Sequence, residues 1–368
     1  MQKTPKFRSY EGSDIEWVDT SQVDTGSTYR VVDLFAGAGG LSLGFGMAGY
    51  EPVLAVEADA DAYATYANNF PGTRLHTGLI EDLSEYDLLA LFPGAPPDVI
   101  CGGPPCQSHS TAGKRDPADP RGHLYQEFLR VAGILRPHFL VMENVPGLLS
   151  IEQGGRIQRI LDGLAGIGYP DGSVMMLESA EFGVPQMRRR LFIVANRYGR
   201  PNPRPLPLLS RRRFIPVECA INDLKGRPRD PATNHEWTRH TSEMEMRLAR
   251  VAPGETLYDG YSGSWRRLRI GLPSPTIKHN NGAPHIHYEL PRTISAREMA
   301  RLQSFPDSFR FSGEMASAMV QVGNAVPPLL AKAIGLALRP SLEAISGVSP
   351  GQPGPPPIAA SRREERGS

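Results

Sequence analysis

The stretch YRVVDLFAGAGGLSLGF (29–45) decides the fold. An apolar, β-branched run ends in an acid, and three glycines, Gly37, Gly39 and Gly40, follow at once. Such a run reads as a buried strand, and the glycines permit a tight turn and close approach of a ligand to the backbone. Working outward, EPVLAVE (51–57), PDVICGG (97–103) and HFLVMEN (138–144) repeat the pattern, each ended by turn residues or an acid. Helix-length segments separate them, including 60–69 and 124–135, the latter with apolar residues at helical spacing. The alternation predicts an α/β fold with a mostly parallel sheet and crossover helices. SVMMLES (173–179) and RLFIVAN (190–196) lie close enough in sequence to pair antiparallel at an edge. Glu57 ends the second strand twenty residues after Gly37, placed to accept hydrogen bonds from ribose hydroxyls. Ser42 stands where a dinucleotide fingerprint wants its third glycine, so a nucleoside site is favoured over a dinucleotide site.

The 368 residues suffice for one large domain or two modest ones, and 40% hydrophobic with 21% charged residues is a soluble composition. No run approaches the length of a membrane helix and the first residues lack a secretory apolar segment, so a cytoplasmic location is expected. Three cysteines without a CxxC pair or clustered histidines exclude a disulfide framework and point away from zinc; no metal is expected. The net charge of +1 hides a basic segment, residues 186–230, with twelve Lys or Arg against three acids, which suggests a polyanion partner. Residues 1–28 read as a polar extension or flexible arm, 29–199 as the first domain, and 200–291 as a smaller irregular domain rich in Pro, Arg and Gly. Helical character returns within 292–340, at 295–303 and 328–338, and the tail 341–368 is expected to be disordered.

In CGGPPCQSHS (101–110), two glycines and two prolines can neither continue a strand nor open an ordinary helix, so Cys106 is displayed on a stiff loop. Both PPC and ENV (143–145) follow predicted strands, where open parallel sheets bind ligands. A thiolate is an intrinsically strong nucleophile, and the arginines of QMRRR (186–190) can supply the charge that enlarges its fraction.

DLFAGAGG, GGPPCQ, ENV, QMRRR, RTISAREMARLQSFPD (292–307) and QVGNAVPP (321–328), in that order, resemble the DNA cytosine-5 methyltransferases over residues 31–335, and suggest a bacterial or phage modification enzyme. The resemblance implies a Rossmann-like S-adenosylmethionine-dependent fold, split by a target-recognition domain at 200–291. It implies that Cys106 adds to carbon 6 of cytosine, making an enamine whose carbon 5 takes the methyl of S-adenosylmethionine. Glu143, carrying or sharing a proton, then neutralises charge at ring nitrogen 3, Arg190 sits by the base carbonyl oxygen, and Arg188 supports the same site. The target base would be flipped out of duplex DNA, with Gln107 and Ser110 touching the displaced strand or its phosphates. Around the cofactor the resemblance places Phe35, Gly37, Gly39, Gly40, Glu57, Ile80, Pro104, Leu124, Asn324 and Val326. It further implies a monomer on double-stranded DNA, nucleoid-associated when bound, with a cognate restriction endonuclease as a possible companion.

Three positions depart from the pattern: His109 replaces an aromatic residue, Leu79 an aspartate that faces the adenine amino group, and Ala58 a larger residue. Glu81 and Asp82 are the candidates to substitute at the adenine. Within the recognition segment, NHEWTRHTSE (234–243) and residues 279–282 are candidates to enter a groove, but the target sequence is not readable. A transfer RNA substrate, a catalytically inactive DNA-binding relative and transfer of a group other than methyl are the alternative readings.

Overall fold

A computed structural model describes residues 15–26, 28–105, 123–258, 265–278 and 285–346. After β1 (Ile15–Val18), the strands β2 (Tyr29–Leu34), β3 (Tyr50–Glu57), β4 (Arg74–Thr77), β5 (Val99–Gly102), β6 (Phe139–Asn144), β7 (Ser173–Glu178) and β8 (Arg189–Asn196) build one sheet. Its order is β4-β3-β2-β5-β6-β8-β7. All pairings are parallel except those of β8, which runs antiparallel between β6 and β7. The expected antiparallel pair is therefore present, with β7 at the edge and β8 inside it. Strand order reverses between β2 and β5, which opens a crevice at their carboxyl ends. The loops after these two strands carry the Gly-rich and PPC motifs.

Period-two alternation in the strands feeds two cores. Val32, Leu34, Ile100, Leu140 and Met142 face α4 (Leu124–Leu135) and α5 (Gly155–Gly166). Val31, Val99, Val141 and Phe192 face α1 (Gly40–Met47) and α10 (Pro328–Ser346). Leu330, Ile334 and Leu338 of α10 are fully or nearly buried there, at about 1.5–3 kcal/mol each. Helix α10 can approach α1 this closely because Gly44 carries no side chain: a Cβ there would meet the Pro328 carbonyl and the Ala331 Cβ, each at 2.4 Å.

The remaining crossovers are α2 (Ala60–Asn69), after β3, and α3 (Glu85–Leu91), whose Leu88 joins the core of α4 and α5. A third core joins the irregular segment to the returning helices. Val217 and Ile221 of α6 (Val217–Ile221), with Ile277 and Tyr288, pack against α8 (Ala296–Leu302) and α9 (Met315–Asn324). Helix α7 (Ser242–Arg250) lies within the irregular segment, held by its Thr241 cap.

Two expected boundaries move. Within the N-terminal arm, β1 pairs in parallel with β9 (Asn202–Pro205), and the Asp24 carbonyl accepts from Arg339 Nε at 2.5 Å, so residues 15–26 are held against the body. Helix α10 continues through Pro340 to Ser346, beyond the expected start of the tail at 341. Its last turns bury Leu342 and Ile345, apolar residues that outweigh the proline. Residues 347–368 lie outside the described residues.

Candidate active site

The Gly-rich loop leaves β2 by a left-handed turn. Phe35 (φ 59°), Gly37 (54°) and Gly39 (94°) all take positive φ, unusual and strained for phenylalanine. The turn is fixed by Ala36 N–H donating to the Val56 carbonyl at 3.0 Å and by Gly37 N–H donating to Glu57 Oε2 at 2.6 Å. Glu57 Oε1 accepts from Asp59 N–H at 2.7 Å, so this carboxylate is oriented from both sides before any ligand arrives. Burial pushes its carboxyl upward, against the pull of these N–H donors.

A cavity of about 840 Å³ opens at the crevice. Eight of the expected cofactor residues line it: Phe35, Gly37, Gly40, Glu57, Ile80, Leu124, Asn324 and Val326. Gly37 leaves open space where a Cβ would stand, and at Gly40 a Cβ would collide with the Val326 carbonyl at 2.3 Å. Two expected residues do not line it. Gly39 faces away, packed on Phe70 and Tyr66. Pro104 is buried, and its neighbour Pro105 lines the cavity instead.

Sequence reading missed Asp59 and the α9 residues Ser317, Val320 and Gln321, which form part of the wall. Leu79, 57% exposed, Ala58 and Glu81 also line the cavity. Asp82 is occupied in accepting from Leu79 N–H at 3.2 Å, so Glu81 is the acid left to face a ligand there.

The second half of the site is Glu143, next to last in β6, and Arg190, second in the antiparallel neighbour β8. Arg190 Nε lies 3.0 Å from Glu143 Oε1, and both side chains are nearly buried. Burial raises the Glu143 carboxyl above the usual range, opposed by Arg190 and Arg188. Gly103 gives the glutamate room, since a Cβ there would stand 3.0 Å from Glu143 Oε2. Asn144 Nδ2 donates to the Pro104 carbonyl at 3.1 Å, tying the PPC loop to the end of β6 beside Glu143. Cys106, Gln107, His109 and Ser110 lie outside the described residues. Of the other cysteines, Cys101 is buried in β5, where burial pushes its thiol far up, and Cys219 is exposed on α6.

Arg188 lies near enough for its charge to act on Glu143, but it does not line the cavity. It is fully buried and its guanidinium donates to three backbone carbonyls: Nη1 to Ile277 at 2.7 Å, and Nη2 to Gly323 at 2.8 Å and Ala325 at 3.0 Å. It is a strut between the start of β8, the irregular segment and the cavity wall at Asn324–Val326. Arg188→Met leaves three carbonyls without this donor. It is expected to cost at least about 3 kcal/mol in urea unfolding and to weaken S-adenosylhomocysteine binding measured by calorimetry, while Arg188→Lys restores part of both.

Beneath the loop, Asp33 is fully buried. Its Oδ2 accepts from Ser42 N–H at 3.2 Å and Ser42 Oγ at 2.7 Å, and Ser42 Oγ lies 2.7 Å from the Tyr66 hydroxyl. Its Oδ1 has no geometric hydrogen-bond partner among the described residues, and burial raises the carboxyl to about 7, against the hydrogen bonds from Ser42 and the nearby Cys101 thiol. The folded protein thus holds this proton over a range where the unfolded chain has lost it. The associated stability is fully present below about pH 4 and lost as pH rises toward 7, at most on the order of 4 kcal/mol. Asp33→Asn removes this slope, so the melting temperature of the wild type is expected to fall relative to that variant between pH 4 and 7.

Parallel strands ending at a cavity with a ribose-facing carboxylate, and a buried carboxylate–arginine pair beside it, define a Rossmann-like methyltransferase. Residues 29–339 match the C-5 cytosine-specific DNA methylase family, to which the chain belongs. It is 37% identical over 321 residues to Type II methyltransferase M1.HphI of Haemophilus parahaemolyticus, covering 83% of this chain and 86% of that one. It is 33% identical over 365 residues to Type II methyltransferase M.DdeI of Desulfomicrobium norvegicum, covering 83% and 87%. Among solved structures, a DNA modification methyltransferase encoded within an E. coli prophage aligns with TM-score 0.71 and 28% identity, over 86% of this chain and 99% of that one. DNMT2 of Spodoptera frugiperda, at 18% identity and TM-score 0.59 over 84% and 99%, shares the fold. The protein is thus a DNA cytosine-5 methyltransferase of restriction-modification type. No described helix is long and apolar enough to cross a membrane.

Proposed function

We propose that the enzyme methylates carbon 5 of a cytosine flipped out of duplex DNA, through a covalent adduct with Cys106. The observation that carries this is the buried Glu143–Arg190 pair, fixed at the mouth of the cavity and tied through Asn144 to the loop that leads into Cys106. S-adenosylmethionine fits the residues present: Glu57 for the ribose, Phe35, Ile80 and Leu124 as an apolar seat, and Gly37 leaving backbone accessible. When bound, it supplies an electrophilic methyl group.

The rest is done by side chains. Cys106 thiolate forms a bond from Sγ to carbon 6 of the base, and the electron pair of the carbon 5–carbon 6 bond makes carbon 5 nucleophilic. Glu143, its proton favoured by burial, shares that proton with ring nitrogen 3. Arg190 stabilises charge on the base carbonyl oxygen. Once carbon 5 is methylated, water takes its remaining proton, and that electron pair re-forms the carbon 5–carbon 6 double bond and expels the Cys106 thiolate. Gln107 and Ser110 contact the displaced strand, and residues 200–291 select the target. The enzyme acts as a monomer in the cytoplasm, beside a restriction endonuclease of matching specificity.

The test is duplex DNA carrying 5-fluorocytosine, whose fluorine blocks the last elimination. With S-adenosylmethionine, a covalent protein–DNA complex is expected on a denaturing gel, and mass spectrometry of fluorine-free DNA after reaction should show one methyl group in place of one hydrogen. A complex with RNA alone, or none across DNA of varied sequence, would overturn the proposal.

A further inference from the structure

The run Arg211, Arg212, Arg213 plays no part in the reaction described above, and its position is fixed by the chain on either side. Strand β7 runs parallel to β6, so Glu178 at its end lies at the same edge of the sheet as Glu143. Beyond β7, the Glu181 carbonyl accepts from Leu208 N–H at 3.0 Å and Leu209 N–H at 2.9 Å, which pins the linker to that edge. On the far side of the run, Val217 N–H donates to the Leu272 carbonyl at 3.0 Å, and Ser274 N–H donates to the Pro185 carbonyl at 2.9 Å, just before QMRRR. Both anchors thus stand at the catalytic edge.

Between them, Arg211–Arg213 forms a single 3₁₀ turn, closed by Arg213 N–H donating to the Ser210 carbonyl at 2.8 Å. Successive side chains of such a turn point about 120° apart, yet all three arginines are exposed, so the turn stands away from the surface. Residues 206–217 contain no Asp or Glu, and no ion pair engages these three arginines among the described residues. Arg189, 70% exposed at the start of β8, extends the positive edge toward Arg190; its acid, Glu178, stands 3.5 Å away. Glu143 is level with Met175, two strand spacings or about 10 Å away, and Glu178 at the end of β7 is three residues further along. Arg213 lies four residues from Leu209, at most about 14 Å of chain. Adding the three residues from Glu178 to Glu181 and the Glu181–Leu209 hydrogen bond, the run is within roughly 40 Å of the reacting groups, about a dozen base pairs of B-form duplex.

Resting on the function proposed above, we propose that Arg211–Arg213 is a phosphate clamp that grips the DNA backbone within roughly one helical turn of the flipped nucleotide. Guanidinium groups match phosphate oxygens with paired donors, and a fan of three spans neighbouring phosphates without reading sequence. The clamp supplies affinity and register rather than target choice.

The experiment compares the wild type with Arg211→Gln/Arg212→Gln/Arg213→Gln in binding a fluorescent duplex across a salt series. Each phosphate contact contributes about 0.9 to the slope of log affinity against log salt, so the slope should become shallower by about 2–3. Between about 50 and 200 mM salt the variant should lose roughly ten- to forty-fold less affinity than the wild type. The triple Arg→Lys variant should keep the wild-type slope. Binding of S-adenosylhomocysteine checks that the fold is intact, and Arg212→Glu alone serves if the triple variant is unstable. A wild type that binds duplex with a steep slope, together with variants whose slope is unchanged, would overturn the clamp and leave the proposed function standing. A wild type that does not bind duplex DNA would overturn both.

Discussion

Cys106→Ala is expected to abolish methyl transfer and the covalent complex with 5-fluorocytosine DNA together. The loss should be roughly 10⁴- to 10⁶-fold in kcat, the order found when the nucleophile of a covalent mechanism is removed. Without the Sγ–carbon 6 bond, carbon 5 has no electron pair to offer, so the remaining groups have no nucleophile to assist. Cofactor binding gives the control. The residues that would hold it, Glu57, Phe35, Ile80 and Asn324, belong to other elements, so S-adenosylhomocysteine affinity should be unchanged. Cys101 cannot substitute, because it is buried in β5 and its thiol is pushed far up. A variant that still forms the complex would assign the nucleophile elsewhere.

Glu143→Gln carries the second large effect. The amide preserves the shape beside Gly103 but replaces the shared proton of a carboxylic acid with an N–H that cannot be transferred at neutral pH. Loss of a positioned acid costs about 10²- to 10⁴-fold, and it should appear in kcat rather than in affinity for cofactor. The variant also leaves Arg190 without its charge partner in a nearly buried position, so a modest loss of thermal stability should accompany it. Because the raised carboxyl acts in its protonated form, wild-type kcat should decline as pH climbs through its folded pKa. That limb should be absent in the glutamine variant. Persistence of the limb would assign it to another group.

Much of this site was legible because its carriers are strand ends. β2, β3, β5 and β6 are apolar runs closed by Asp, Glu, Gly or Asn, and the sequence itself shows where each stops. β4 was not legible: its four residues, RLHT, are partly exposed at the sheet edge and offer no apolar run. Nor was α9, whose MASAMVQVGN mixes small residues with Gly and shows no clear polar face, though it walls the cavity. The Gly-rich loop was readable as a loop, but facing is a three-dimensional property, which is why Gly37 and Gly40 reach the cavity and Gly39 does not. The resemblance alone gives Arg188 and Arg190 a common role. The strand begins at Arg189, so Arg190 is held in the sheet beside Glu143, while Arg188 precedes the strand and reaches Gly323 and Ala325.

The close seat of α10 on α1 bears on how the chain is made. The Tyr50 hydroxyl donates to the carbonyl of Gly335 at 2.9 Å, a contact between residues 285 positions apart. At about 5–20 residues per second, translation needs roughly 15–60 s to deliver the second partner. The face formed by Val31, Val99, Val141 and Phe192 is complete once Phe192 is made, 143 positions before Gly335, so it waits about 7–30 s for α10. The nascent sheet emerges from the ribosome as a half-finished surface, and one side of it closes only with the last helix.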